Sequence, residues 1–126
     1  MDMTGEPDLT GRRVLNVEDD FYLATDAARA LRGAGADVTG ACATEEDARA
    51  ELAEQRPNAV AVDINLGPGP SFKLAEHLKD NGIPFVFTIG YDAEVIPVEF
   101  ESVERLEKPL QLRQIVGAVA KLTMAA

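Results

Sequence analysis

The chain has 126 residues, 22 acidic against 12 basic side chains, and a net charge of −10 at neutral pH. That length suits one compact domain with enough apolar content to bury a core. The composition excludes a membrane span, since no run of about eighteen apolar residues occurs, and argues against direct nucleic-acid contact, which needs clustered Lys and Arg.

In chain order, residues 1–11 carry neither the basic nor the apolar region of a secretory signal and are expected to form a flexible N-terminal arm, with the folded domain running from 12 to 126. Arg12 to Val17 reads as the first strand, followed at once by Glu18, Asp19 and Asp20. Ala24, Ala27, Ala28 and Leu31 recur at helical spacing and predict a helix over 20–32, ended by Gly33 and Gly35. Asp37 to Cys42 is a short second strand. Thr44 is suited to cap a second helix with acids in its first turn, which Pro57 brings to an end. Ala59 to Asp63 is a continuous apolar run closing on one carboxylate before a Gly/Pro-rich turn, the pattern of a strand buried on both faces. Ser71 is placed to cap a third helix with Leu74, Ala75 and Leu78 facing inward. Pro84 to Thr88 is the fourth strand. From Gly90 to Phe100 the helical signal weakens around Pro97, so any helix there should be short or frayed. Ser102 to Leu106 alternates like an edge strand, and Leu112, Ile115, Val116 and Val119 mark a final amphipathic helix.

Strands alternating with helices predict an α/β fold: a flavodoxin-like, doubly wound, five-stranded parallel sheet of order 2-1-3-4-5 with helices on both faces. Such a sheet collects its strand carboxyl ends on one edge. That edge gathers Glu18 and Asp19 after the first strand, Asp63 at the third, Thr88 or Ile89 at the fourth, and Lys108 after the fifth. Each acid alone could be a loop residue or a helix cap. Together, three carboxylates at close range repel, and a hard divalent cation such as Mg²⁺ relieves that repulsion. A metal, a carboxylate nucleophile and an ammonium around one cavity are the parts needed to receive a phosphoryl group. A hydroxyl at the end of the fourth strand would hydrogen-bond a phosphoryl oxygen.

Three segments carry a resemblance: Val14 to Asp20 (VLNVEDD), Val60 to Leu66 (VAVDINL) and Glu107 to Leu110 (EKPL). They resemble the signatures of a response-regulator receiver domain, over nearly the whole chain from Arg12. The resemblance implies that Asp63 is the phosphoacceptor and Lys108 pairs with the phosphoryl group. It implies that Asp19 binds Mg²⁺ directly, that Glu18 does so through water, and that the Asn65 backbone carbonyl completes the protein ligands. It further implies a cis Lys108–Pro109 bond. Pro84 to Asp92 (PFVFTIGYD) is similar to the Phe-Ala-Thr-Gly-Tyr pattern of the alphaproteobacterial FATGUY group of single-domain regulators, whose members are associated with HWE-type and related histidine kinases.

Two positions depart from the pattern. In register, the group's hydroxyl residue falls on Ile89, so either Thr88 supplies the hydroxyl or the donor is absent; side chains alternate faces, so a one-residue shift changes which layer a residue enters. The position three before Lys108, often aromatic in receivers, is Arg105, with Tyr91 as a candidate substitute. The reading is a cytoplasmic, stand-alone receiver rather than an enzyme. It takes a phosphoryl group from a histidine kinase or phosphotransfer protein, assists that transfer and its reversal, and signals by protein contact or drains a shared relay. A weak homodimer is left open. The alternatives are a degenerate receiver that binds partners without phosphate and an aspartyl-nucleophile phosphatase. Against the phosphatase, no second acid stands two residues after Asp63 and no cap insertion is present.

Overall fold

The computed structural model describes residues 7–66, 71–90 and 96–124. The elements run β1 (Arg13–Val17), α1 (Phe21–Gly33), β2 (Asp37–Cys42), α2 (Glu45–Glu54), β3 (Ala59–Asp63), α3 (Lys73–Asp80), β4 (Phe85–Ile89), a short 3₁₀ turn (Val98–Phe100), β5 (Arg105–Glu107) and α4 (Leu112–Met124). The strands form one five-stranded sheet in the order β2-β1-β3-β4-β5, with every neighbouring pair parallel. This is the architecture expected from the alternation of strands and helices.

Two apolar layers sandwich the sheet, and strand alternation assigns each side chain to one of them. Val14, Ala59, Ala61, Val86 and Leu106 pack with Ala27, Ala28 and Leu31 of α1 and Ile115 and Val119 of α4. Leu15, Val17, Val60, Val62, Phe85, Phe87 and Ile89 pack with α2, α3 and Phe100 on the other side. All five residues of β3 and all five of β4 are buried, as a sheet covered on both faces requires. Phe72, Phe85, Phe87 and Phe100 form an aromatic cluster with neighbouring ring centroids 5.4–6.1 Å apart. Phe100 thereby anchors the 3₁₀ turn that stands between β4 and β5. Residues 91–95, on which the expectation of a frayed helix and the role of Tyr91 partly rest, lie outside the described residues.

β1 and β2 slip register between Leu15 and Val17. Gly40 sits at that irregularity with φ +99°, and a Cβ there would lie 2.7 Å from the Asn16 carbonyl oxygen. Both the backbone conformation and the close approach call for glycine.

Several boundaries differ from expectation for identifiable reasons. Asp20 is the N-cap of α1 rather than its first residue, since its carboxylate accepts from the N–H groups of Tyr22 and Leu23. Ser71 stands one residue before the N-cap position of α3, which Phe72 occupies, and its hydroxyl makes only a long contact with the Lys73 N–H at 3.5 Å. The helix starts at Lys73, while the Ser71 N–H donates to the Ile64 carbonyl at 2.8 Å and draws that residue back toward β3. β5 starts later than expected because Phe100 and Val103 close a turn (Val103 N–H to the Phe100 carbonyl, 3.0 Å) before the chain extends.

The arm expected over 1–11 is tied down at Leu9. Its side chain is fully buried against α1 and α4, and its N–H donates to the Ala34 carbonyl at 2.7 Å. Replacing Leu9 with Ala should lower unfolding stability by about 2–4 kcal/mol, as for other fully buried leucines. A urea titration checks this; an unchanged midpoint would mean that the segment does not seal the core.

Candidate functional site

The carboxyl ends of β1 and β3 are adjacent in the sheet, with Val17 paired to Val62. The next residue on each strand is acidic, Glu18 and Asp63, and both are buried. The Glu18 N–H is held by the Cys42 carbonyl at 2.9 Å, which fixes where the loop leaves the sheet. One carboxylate oxygen each from Glu18, Asp19 and Asp63 lies within 4.8 Å of the others. Asp19 is exposed on the rim.

Lys108 reaches this cluster from the end of β5. Its ammonium donates to Asp63 Oδ2 at 2.8 Å and to Glu18 Oε2 at 3.2 Å. The lysine side chain is 27% exposed and the two carboxylates 1–3%. The Lys108 N–H donates to the Ile89 carbonyl at 2.7 Å, and the Lys108–Pro109 bond is cis. Asp63 Oδ1 accepts the Asn65 N–H at 2.9 Å. The Asp20 N–H donates to Glu18 Oε2 at 3.1 Å.

At 4.8 Å two carboxylate charges repel by roughly 3–4 kcal/mol at an effective dielectric of about 20. The Lys108 ammonium at 2.8 and 3.2 Å outweighs that repulsion, but with Asp19 the cluster still sets three carboxylates against one ammonium. Burial first, then the hydrogen bond and charge of Asp63, push the Glu18 carboxyl up to about 7. For Lys108 burial works to lower the ammonium pKa, but the bond to Asp63 and the surrounding carboxylate charge outweigh it, and the net shift is upward. The donor set is all oxygen, partly buried and over-negative, which fits a hard divalent cation better than a soft metal.

Thr88 is paired with Asp63 across β3 and β4. Alternation places both on the sheet face occupied by Ala61 and Val86. Ile89, the residue that the sequence pattern aligned with a hydroxyl, packs in the opposite layer. Thr88 is 4% exposed, and its hydroxyl oxygen has no hydrogen-bond partner among the described residues. Thus Glu18, Asp19, Asp63 and Lys108 are brought together, Asn65 touches Asp63 through its N–H, and Thr88 lies beside Asp63 in register. Arg105, at the position where an aromatic residue was sought, is half-buried beside Phe87 in the ladder. Sequence reasoning missed the Lys108–Glu18 contact; it expected a buried Asn16 to need a hydrogen-bond partner, which the structure supplies as the Ala24 carbonyl, though the sequence did not name it. The only signal of that bond was an amide side chain inside an apolar run.

No protein-family model matches the chain. The chain is 32% identical over 110 residues to the sensory transduction protein LytT of Bacillus cereus, a match over 83% of the chain and 45% of LytT. The chain spans about half the length of the curated relatives it matches. Among solved structures it resembles a response regulator receiver protein from Sinorhizobium medicae (26% identity, TM-score 0.76, 94% of this chain and 98% of that one). It also resembles the receiver domain of the response regulator PhyR from Erythrobacter litoralis (22% identity, TM-score 0.80, 93% of each chain), a likeness that shows the fold. No helix among the described residues is long and apolar enough to cross a membrane.

The raised Glu18 pKa sets a pH dependence. Below about 4.5, the ordinary value of the side chain, Glu18 is protonated whether the chain is folded or not, and its contribution to stability is fully present. Between there and about 7 the unfolded chain ionises while the folded chain keeps its proton, so the contribution falls as pH rises and is lost above about 7. Urea denaturation of the metal-free protein, with Glu18→Gln as reference, should show the wild type losing at most about 3 kcal/mol relative to the variant across that window. A flat difference, or one of opposite sign, would contradict the assigned environment.

Proposed function

We propose that this chain, a response-regulator receiver domain by its fold and by its relatives, accepts a phosphoryl group on Asp63 from a phosphorylated histidine of a kinase or phosphotransfer protein. The observation that carries the reading is the buried Asp63 carboxylate at a strand end, hydrogen-bonded to the Lys108 ammonium and flanked by Glu18 and Asp19. A carboxylate oxygen of Asp63 attacks phosphorus in line with the leaving group. The new O–P bond forms as the P–N bond to the donor imidazole breaks, and the imidazole nitrogen leaves with the electron pair. Lys108, already on Asp63 Oδ2 at 2.8 Å, follows the negative charge onto the phosphoryl oxygens. Thr88, in register with Asp63, supplies its hydroxyl to another of those oxygens, in keeping with its lack of any other partner among the described residues.

Glu18, Asp19 and Asp63, with the Asn65 backbone carbonyl, would hold Mg²⁺, with Glu18 acting through water. When bound, the ion neutralises phosphoryl charge and orients the transferring group. Hydrolysis of the acyl phosphate follows the same path, with water as the attacking group. The domain itself is a phosphoacceptor, not a turnover enzyme. The kinase is of the HWE type or a relative of it, the compartment is the cytoplasm, and the output is a protein contact or removal of phosphate from a shared relay. An acidic surface of net charge −10 suits protein partners and not nucleic acid.

Incubation with acetyl phosphate tests the reading. Mass spectrometry should find one hydroxylamine-sensitive phosphoryl group on the wild type, dependent on Mg²⁺ and absent in Asp63→Asn. Lys108→Ala should slow its formation by at least about tenfold, the size expected for loss of one charge-stabilising group. A folded wild type that takes no phosphoryl group in saturating Mg²⁺ would leave a binding module as the function.

A further inference from the structure

Asn16 is a buried polar residue in the middle of β1, 2% exposed. Its neighbours along the strand are Val14, Leu15 and Val17, all in the core. An amide in that position loses its water and gains nothing from the apolar layer, so its hydrogen bond is the reason it can be there. Asn16 Nδ2 donates to the Ala24 carbonyl at 3.1 Å. Ala24 lies buried in the first turns of α1, the helix whose Ala27, Ala28 and Leu31 pack on the sheet face that Val14 also occupies. The Ala24 carbonyl belongs to the helical ladder as well, so this bond is an added tie and not a repair of a missing one.

The bond spans residues 17–23, the segment that carries Glu18 and Asp19. The other ties of this segment are the Glu18 N–H to the Cys42 carbonyl, the Lys108 ammonium on Glu18 Oε2, the Asp20 N–H to Glu18 Oε2, and the Asp20 cap on Tyr22 and Leu23 with the Ala24 N–H on the Asp20 carbonyl. Each of these ties the loop to β2, to Lys108, to itself or to the head of α1, and none links β1 directly to α1. Among the polar contacts of this segment, Asn16 is the one that joins the strand body to the helix body, setting the distance between the last fixed residue before the acids and the first turns after them. The register slip of β2 opposite Asn16 leaves the β1 ladder irregular at this very residue, so the strand end has less support from that side.

We propose that Asn16 is a positioning residue that holds the Glu18–Asp19 loop in the geometry needed to bind a divalent cation. The inference rests on the reading of Glu18, Asp19 and Asp63 as a cation site. Asn16 does not touch the ion. It acts by preorganising two of the carboxylates, as groups behind metal ligands do.

The test separates positioning from plain packing. Asn16→Leu is close in size, cannot donate, and suits a buried strand, so it should match or exceed the wild type in urea stability without metal. Titration with Mg²⁺ alone, followed by amide NMR shifts of the 18–20 and 63–65 segments, should show binding weakened about tenfold, the lower end for loss of a group that orients metal ligands. The shifts at saturation should be unchanged. Should the leucine not fold, Asn16→Ala adds no bulk and is read the same way. Wild-type affinity in a stable Asn16→Leu protein would overturn the inference while leaving the cation site intact. Absence of Mg²⁺ binding by the wild type would remove the site itself and the inference with it.

Discussion

Two carboxylates and one ammonium share the dry edge of a parallel sheet, and most of what is particular to this domain follows from the imbalance. Glu18 and Asp63 are nearly inaccessible to water, and Lys108 bridges them at 3.2 and 2.8 Å. An isolated buried charge would be untenable. A bridged pair is tolerable but strained, as the upward shift of Glu18 to about 7 records. With Asp19 at the rim, the cluster is over-negative and built of oxygen donors, so its energy falls when a cation or a transferable anion–cation pair enters. The site is stable enough to fold and unsatisfied enough to act.

The fold brings these groups together by register. β1 and β3 are neighbours because the chain crosses over to β2 first, and their pairing sets Glu18 and Asp63 at the same height above the sheet. β4 continues the line, with Thr88 level with Asp63, and the Lys108 N–H is pinned to the Ile89 carbonyl. The layers beneath are filled by small and branched side chains on the α1/α4 side and by aliphatic side chains with Phe85, Phe87 and Phe100 on the other. The packed core of the molecule therefore lies under the reactive edge. The aromatic cluster reaches from Phe72, at the start of α3, to Phe100 in the turn before β5, and so joins the two loop regions flanking β4.

Much of this was legible in the residues. Continuous apolar runs named β3 and β4 as buried strands, strand–helix alternation led to the sheet order, and acids and a lysine at strand ends pointed to one cluster. Other features were not. Asp20 reads as the first residue of α1 until the backbone shows it capping that helix, because acids are favoured both at the cap and in the first turn. The Thr88 question turned on strand register, which a shift of one residue reverses; Ile89 lies in the opposite layer and Thr88 faces with Asp63. Leu9 looked like part of a loose arm because one apolar residue in a polar stretch has no period to read. The tie from Asn16 to Ala24 is a contact between strand and helix that no local pattern encodes.

The most direct test of the account is a structure of the protein with Mg²⁺ and beryllofluoride, which mimics a phosphoryl group. Beryllium should be bonded to a carboxylate oxygen of Asp63, Lys108 moved from Glu18 onto a fluorine, the ion held among Glu18, Asp19 and Asp63, and the Thr88 hydroxyl hydrogen-bonded to a second fluorine. A structure at saturating beryllofluoride in which Asp63 remains unmodified and Lys108 still bridges the two carboxylates would contradict it.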